Sequence, residues 1–294
     1  MEIHKLTELA TIKSFIEASS YIQTSYLYKL PQNYDDIDTL LTKAIHFPGV
    51  FACADNNNDI KAILFAFSYA KDCYKVIGPF TKGEHDLTVE DFQALFNALN
   101  SNVSAHSIFN FSFEEGLQTY YPLMDAIHAH YNFTDYYLEA YKQTHAETIN
   151  PNIIEYHTAF YRHFAKLHHD TFKHGAHTAE ELIATLDDYH RLFLFVSEGI
   201  LKGYLYLQID TTGSHAEIKY FSSHSDYRFM GIGFDLLSYG LNYAFKHYEI
   251  KKVHFKIRSK NTKLVSRFNE LGFKVNYEYK KFKLEQFTKP TSSN

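Results

Sequence analysis

The sequence has few cysteines, little net charge and no long apolar run. The chain has two cysteines, Cys53 and Cys73, which excludes a disulfide framework and predicts buried neutral thiols. Its 29 basic and 34 acidic residues leave a net charge of −5, so any phosphate site must be local rather than due to a global field. No apolar run approaches the roughly 18 residues of a transmembrane helix. We therefore expect neither a nucleic-acid partner nor a membrane partner.

The residues that are present are those of a globular protein. Hydrophobic residues make up 45% of the chain and charged residues 21%, which is enough apolar material for one or two cores. A length of 294 residues predicts two domains of about 150 residues each, although one large domain is an alternative. The start of the chain lacks the basic and apolar regions of a signal peptide, which predicts a cytoplasmic location.

The same order of predicted elements occurs twice along the chain. Each half begins with helical spacing of apolar residues, continues with a hairpin and a third strand, and then has a helix followed by another strand. Capping boxes mark helix starts at Thr88 and Thr178. The predicted strands are, in chain order, 49–54, 61–69, 74–80 and 107–113 in the first half and 192–196, 203–209, 216–221 and 252–257 in the second.

This recurrence predicts an internal duplication. Lys61 precedes Phe80 by 19 residues, and Lys202 precedes Phe221 by the same interval. The alignment then places residues 132–133 against residues 272–273. Chance matching of aromatic residues is the alternative in a chain with 24 Tyr and 26 Phe.

A predicted strand that runs into a glycine-containing loop and a helix carries the most specific signal. Gly231 and Gly233 lie at the start of the helix, and Arg228 precedes them. Glycines permit close approach, and the free N–H groups of a helix N-terminus present donors to an anion such as a diphosphate. Two glycines that only start a helix are the alternative.

This stretch resembles the acyl-CoA signature of the GNAT superfamily of acetyltransferases, Arg/Gln-x-x-Gly-x-Gly/Ala after the fourth strand. Residues 261–273, NTKLVSRFNELGF, resemble the family's second motif, an Asn followed by a helix and Leu-Gly-Phe. The resemblance implies a mixed α/β (α+β) protein with two GNAT-like domains, each a mostly antiparallel central sheet flanked by helices. The implied ranges are a degenerate domain at 1–145, an acyltransferase domain at 151–286 and a flexible tail at 287–294.

The resemblance also implies acetyl-CoA as cofactor and a set of site residues. Glu217 matches a common position of the general base, and a backbone N–H near Ser223 would meet the oxyanion. Lys260, Lys263 and Arg267 either reach the ribose phosphate or form a solvated helix face. The implied cofactor-binding residues are Phe221, Ser222, Ser223, Arg228, Phe229, Met230, Gly231, Ile232, Gly233, Asn261 and Phe268.

One position departs from the family pattern. Phe268 stands where the family commonly has a Tyr that protonates the leaving thiolate. Water, Tyr277 or Tyr279 would then take this role, or the domain acylates slowly or not at all.

The sequence therefore predicts an N-acetyltransferase acting by direct attack of a primary amine of a small molecule, peptide or protein. The alternatives are a non-catalytic acyl-CoA-binding or sensing protein and a Fem-type aminoacyl-transferase; a homodimer is left open.

Two further stretches contain charged or histidine residues but do not predict a binding site. Residues 80–86 of the first half, FTKGEHD, have one glycine and two acids where the second half has its glycine loop, so the first half is not expected to hold CoA. His163, His168, His169, Asp170 and His174 crowd one segment. No carboxylate or cysteine set at a defined spacing accompanies them, so we predict no metal site.

Overall fold

The structure, a computed structural model, describes residues 1–19, 34–83, 87–142, 150–172, 176–227 and 230–286. The predicted tail at 287–294, His174, and residues 84–86 of the first half lie outside these ranges. No helix within the described ranges is long and apolar enough to cross a membrane.

Contacts between Cα atoms divide the chain into two units. The first unit contains Met1–Thr134 and Tyr279–Asn294, and the second contains Asp135–Glu278. This division differs from the predicted ranges of 1–145 and 151–286, because two long strands each belong to both units. The strand His130–Tyr141 enters the second unit and the strand Lys274–Glu285 enters the first.

The first unit has a six-stranded sheet in the order β1-β2-β3-β4-β5-β12, antiparallel except for β4 and β5. Among the described residues of this unit, four helices pack on it. The elements, in chain order, are β1 (Glu2–Leu6), α1 (Leu9–Ala18), α2 (Tyr34–His46), β2 (Val50–Ala54), β3 (Ile60–Ala70), β4 (Cys73–Thr81), α3 (Val89–Asn100), β5 (Ile108–Glu114), α4 (Tyr120–Ala126), the beginning of β6 (His130–Tyr141) and the end of β12 (Lys274–Glu285). The short strand β1 was not predicted.

The second unit repeats this plan in the order β7-β8-β9-β10-β11-β6, antiparallel except for β10 and β11. Its elements are β7 (Ile153–Glu155), α5 (Tyr161–Thr171), α6 (Ala179–Ala184), β8 (His190–Ser197), β9 (Ile200–Asp210), β10 (His215–Ser223), α7 (Ile232–His247), β11 (Lys252–Arg258) and α8 (Thr262–Glu270), with one-turn 3₁₀ helices at Thr158–Phe160 and Ser225–Tyr227. Both predicted capping boxes are present, at Thr88 and Thr178.

Four of the six corresponding strand pairs have equal lengths, in agreement with the duplication. β3 and β9 each have 11 residues, β4 and β10 have 9, β5 and β11 have 7, and β6 and β12 have 12. The predicted match of residues 132–133 with residues 272–273 has the wrong register. Counted from the first residue of each 12-residue strand, Gly272 corresponds to His128, and both have a positive φ, of 85° and 58°. Aromatic residues are too frequent here to fix an alignment.

Each face of the second unit's sheet has its own core. Leu236, Leu237 and Leu241 of α7 pack with strand residues on one face, and Phe268 of α8 lies in the same cluster. Helices α5 and α6 cover part of the other face, where three strand tyrosines, Tyr204, Tyr206 and Tyr220, are buried. These two layers hold β10 between them, and the predicted site residues lie on or after this strand.

Candidate active site

The two parallel strands of the second unit separate after three residues. His215–Glu217 of β10 pair with Lys252–His254 of β11, and Glu217 opposite His254 is the last pair. Beyond it β10 continues to Ser223 on β9, and β11 continues to Arg258 on β6. Every residue of these strands is described, and no further pairing joins them. The edge of β10 that faces β11 is therefore open from Ile218 onward.

A bulge at Lys219 sets the direction of the side chains along this open edge. Ile218 pairs with Leu207 and Tyr220 with Tyr206, so Lys219 is the extra residue. Ile218 and Phe221 consequently lie on the α7 face of the sheet. Tyr220 lies on the α5 face, and so does Ser222, whose Oγ is 2.8 Å from Thr171 Oγ1. The bulge thus reverses the alternation, so that even-numbered residues lie on the α7 face before Lys219 and on the α5 face after it.

Gly231 is the N-cap residue of helix α7, and its φ of +79° is in the left-handed region. A Cβ at this position would meet no atom within 4 Å, so backbone conformation and not crowding is what requires glycine there. No side chain caps the helix at Gly231. The N-terminal N–H groups of an α-helix lack partners within the helix, and their partial positive charge favours an anion.

The other predicted loop residues differ in their exposure. Ile232 is buried in the core, and Met230 is 64% exposed. Arg228 and Phe229 lie outside the described residues. A Cβ at Gly233 would stand 2.9 Å from Phe221 Cζ, so the second glycine is required by close packing.

The sequence analysis did not identify one glycine near the site, Gly203. Gly203 pairs with Ser223, and a Cβ there would lie 3.0 Å from both the Ser222 carbonyl oxygen and Leu236 Cδ1. It therefore lets β9 approach α7 closely behind the open edge. A glycine inside a predicted strand was the available signal.

The corresponding helix of the first unit starts differently. Thr88 accepts a hydrogen bond from the Asp91 backbone N–H, while the Asp91 side chain accepts one from Thr88. Glu90 and Asp91 also put two negative charges into the first turn of α3. The first turn of α7 has one acid, Asp235, and no capping box, so the capping box and the second acid make the start of α3 the less suited of the two to a diphosphate.

Glu217 lies in a cluster of charged and aromatic side chains where β10 and β11 separate. Its carboxylate accepts a 3.1 Å hydrogen bond from Lys256 Nζ, and His254 Nε2 is 3.8 Å away. Burial alone would raise the pKa of Glu217, but contact with His254 and the charge of Lys256 outweigh it and hold the pKa well below its usual range. The carboxylate is therefore ionised at neutral pH.

His254 is a buried member of this cluster and contacts both Tyr137 and Glu217. Its ring stacks on Tyr137 at 4.9 Å, and it is 4% exposed. Burial lowers the pKa of His254, so the imidazole is neutral, and its buried Nδ1 has no hydrogen-bond partner among the described residues.

Two histidines and two tyrosines form a hydrogen-bond network on the α5 face of the sheet. The sequence did not predict these bonds. His168 Nε2 lies 2.8 Å from the His177 carbonyl oxygen, which makes Nε2 the donor and leaves Nδ1 to accept from the Tyr204 hydroxyl at 2.6 Å. His177 Nδ1 is 2.9 Å from the Tyr220 hydroxyl. Burial lowers the pKa of His168 and of His177. Neutral imidazoles therefore connect the segment between α5 and α6 to β9 and β10.

The residues of the second motif lie on α8. Asn261 is its N-cap residue, although its side chain makes no capping hydrogen bond. Phe268 is 0% exposed and stacks on Phe255 at 4.6 Å. Phe268 thus belongs to the core, and its ring carries no proton to donate.

The remaining candidates are peripheral. Lys260, Lys263 and Arg267 are exposed, and Arg267 donates to Glu270 at 2.9 Å, which favours the solvated helix face. Tyr277 is 5.9 Å from the Tyr137 ring, and Tyr279 belongs to the first unit. The described residues contain no group of three or more possible metal ligands.

The geometry agrees with comparison to known proteins. Residues 152–273 match the family model described as "Acetyltransferase (GNAT) family". No curated protein matches the sequence significantly. The second unit is therefore similar to the acetyltransferases of the GNAT family over residues 152–273.

Solved structures extend the fold to the whole chain. A GCN5-related N-acetyltransferase from Sphaerobacter thermophilus is 11% identical with a TM-score of 0.68, covering 98% of this chain and 96% of that one. A tandem GNAT protein from the clavulanic acid biosynthesis pathway is 12% identical with a TM-score of 0.61, covering 98% and 100%. A GNAT-family acetyltransferase from Colwellia psychrerythraea is 13% identical with a TM-score of 0.61, covering 97% and 100%. The chain has a tandem GNAT fold.

Proposed function

We propose that the second unit is an N-acetyltransferase that moves the acetyl group of acetyl-CoA to a primary amine by direct attack. The observation that carries this proposal is the open edge of β10, followed after residues 224–231 by a helix whose N-cap residue is the left-handed Gly231, which has no side chain to cap it. Backbone groups for an extended chain and donors for a diphosphate thus follow each other along one stretch of sequence. A cytoplasmic location and a homodimer remain predictions.

The residues present fit acetyl-CoA. The backbone of Phe221, Ser222 and Ser223 would hold the pantetheine, and the first turn of α7, with Gly231 and Gly233, would hold the diphosphate. The bound cofactor supplies the activated acetyl group as a thioester. A backbone N–H near Ser223 would stabilise the oxyanion, because a fixed donor costs no reorganisation during the reaction.

The position of Glu217 supports a role in proton transfer. It lies in the last pair before the strands separate, and it is ionised. A carboxylate with a low pKa is a weak base, so it is poorly suited to deprotonate a free alkylammonium of pKa near 10. The nitrogen becomes far more acidic once it has attacked the carbonyl. We therefore place proton acceptance by Glu217, directly or through water, after attack by an amine that enters neutral.

Binding of acyl-CoA without turnover is the second candidate function. It is favoured by the buried Phe268, which removes the family's usual acid, and by the ion pair that engages Glu217. A thiolate is a tolerable leaving group without an acid, which keeps transfer as the first proposal. Turnover of any amine distinguishes the two.

Titration calorimetry of acetyl-CoA into the wild-type protein and Gly231→Asp tests the cofactor site. Gly199→Asp is a matched control, because Gly199 has a φ of +75° and equally open surroundings but lies in the β8–β9 turn. We expect one cofactor per chain, loss of binding in Gly231→Asp through charge repulsion, and normal binding in Gly199→Asp. Equal affinity of the two variants would remove the diphosphate assignment, and no binding to the wild type would remove both candidate functions.

A further inference from the structure

Lys219 is the bulged residue of β10 and has a neutral partner. Its Nζ donates to Gln208 Oε1 at 2.9 Å, and its side chain is half-buried. Gln208 pairs with Glu217 across β9 and β10, so the ammonium lies on the same face of the sheet as that carboxylate. This is the face that α5 and α6 cover only in part.

The carboxylates on this face are already engaged. Glu217 accepts from Lys256, and Glu139 is ion-paired with Lys252. Glu181, on α6, accepts from the Thr178 backbone N–H at 2.7 Å. Among the described residues Lys219 thus has an amide as its hydrogen-bond acceptor and no carboxylate of its own.

The electrostatic environment agrees with this geometry. Burial lowers the pKa of Lys219, Glu217 opposes that effect, and the charge of Lys256 adds to it. A half-buried ammonium normally has an anionic partner, because desolvation of the charge is otherwise not compensated. Lys219 is therefore a half-buried ammonium whose hydrogen-bond acceptor is a neutral amide.

We infer that the acceptor amine carries an anionic group, a carboxylate or a phosphate, which binds Lys219. This inference rests on the proposed acetyl transfer. The positions of Glu217 and Lys219 are two residues apart on one strand, a rise of about 7 Å before the bulge shortens it. An acceptor that reaches both has its amine and its anion close together, as in an amino acid or a phosphorylated amino alcohol.

Matched pairs of acceptors test this. β-Alanine is compared with β-alaninamide, and O-phosphoethanolamine with ethanolamine, each with saturating acetyl-CoA. In the wild type we expect kcat/KM to be about tenfold or more higher for the anionic member of at least one pair, as for a charge-assisted hydrogen bond. The two pairs separate a carboxylate from a phosphate.

Variants assign the preference to Lys219. Lys219→Gln should bring the ratio within a pair close to one, and Lys219→Arg should retain it. Lys274→Gln, at an exposed position of β12, removes the same charge elsewhere and should leave the ratio unchanged. Equal kcat/KM within both pairs in the wild type, or an unchanged ratio in Lys219→Gln, would overturn the inference while leaving acetyl transfer intact.

A binding measurement covers the case in which no amine reacts. N-acetyl-β-alanine and N-acetyl-β-alaninamide are titrated into the complex with CoA. We expect about tenfold tighter binding of the carboxylate, lost in Lys219→Gln. Equal or absent binding of the two would overturn the inference. Failure of acetyl-CoA itself to bind the wild type would instead contradict the proposed function.

Discussion

Gly233 faces Phe221 so closely that a Cβ on the glycine would stand 2.9 Å from Phe221 Cζ. The glycine is the second residue of α7, and the phenylalanine belongs to the open strand. Their contact fixes the start of α7 against the end of β10. The two parts of the candidate cofactor site are therefore held together by packing.

Gly233→Ala should destabilise the protein by about 1–3 kcal/mol, because the added methyl overpacks this contact. Urea unfolding followed by fluorescence or circular dichroism measures the effect. Gly233→Ala combined with Phe221→Leu should recover part of the loss, since the two residues are in contact. Strict additivity of the two substitutions would show that crowding against Phe221 is not the cause.

Glu217→Gln should lower kcat by about 10²-fold and leave the Kd for acetyl-CoA within about twofold. The reason is that the substitution removes the proton acceptor at the strand separation and keeps the shape of the side chain. Steady-state kinetics and calorimetry are the measurements. Lys256→Gln is the companion variant, because it removes the ion pair while sparing the carboxylate. Full activity of Glu217→Gln would place the proton acceptor elsewhere.

The same carboxylate should contribute to stability in a pH-dependent way. The pKa of Glu217 is lower in the folded protein than in the unfolded chain, where it is about 4.3. Its stabilisation is therefore complete above that value and decreases as the pH falls toward the folded pKa. The free energy of unfolding of the wild type should exceed that of Glu217→Gln by a constant amount from pH 7 to about 5. The difference should shrink below about pH 4.

His168 should affect stability in the same direction but in a higher pH range than Glu217. Burial lowers its pKa in the folded protein, so the unfolded chain, with a histidine pKa of about 6.5, takes up protons first. Stability from the neutral ring is thus complete above about pH 6.5 and decreases on further acidification. His168→Gln, which keeps a donor and an acceptor, should reduce the loss between pH 7 and pH 5. An identical loss in both proteins would mean that His168 is not desolvated in the folded state.

Phe268→Tyr should lower the melting temperature. Phe268 is enclosed by Phe255 and Phe273, with ring distances of 4.6 and 5.1 Å, so a hydroxyl there would lack a partner. Differential scanning calorimetry measures the change, which we expect to be several degrees for a loss of about 1–3 kcal/mol. An unchanged melting temperature together with a higher kcat would show that the hydroxyl reaches the leaving sulfur.

Local features were predictable because they depend on neighbouring residues. The capping boxes at Thr88 and Thr178, the glycines at the start of α7 and the repeated order of elements all follow from short-range chemistry. The resemblance of the Arg-x-x-Gly-x-Gly stretch to the GNAT signature was confirmed by the family match at 152–273. The register of the duplication was not predictable, because frequent aromatic residues give many equivalent alignments.

The sequence by itself determined which strand, loop and helix form the candidate cofactor site and which half of the chain carries it. The tertiary structure decided that β6 and β12 are each divided between the two units, that Phe268 is enclosed in the core, and that Lys256 and His254 control the charge of Glu217. It also set Lys219 beside a neutral amide. These relationships join residues far apart in the chain, and strand pairing and burial, which fix them, exist only in the folded protein.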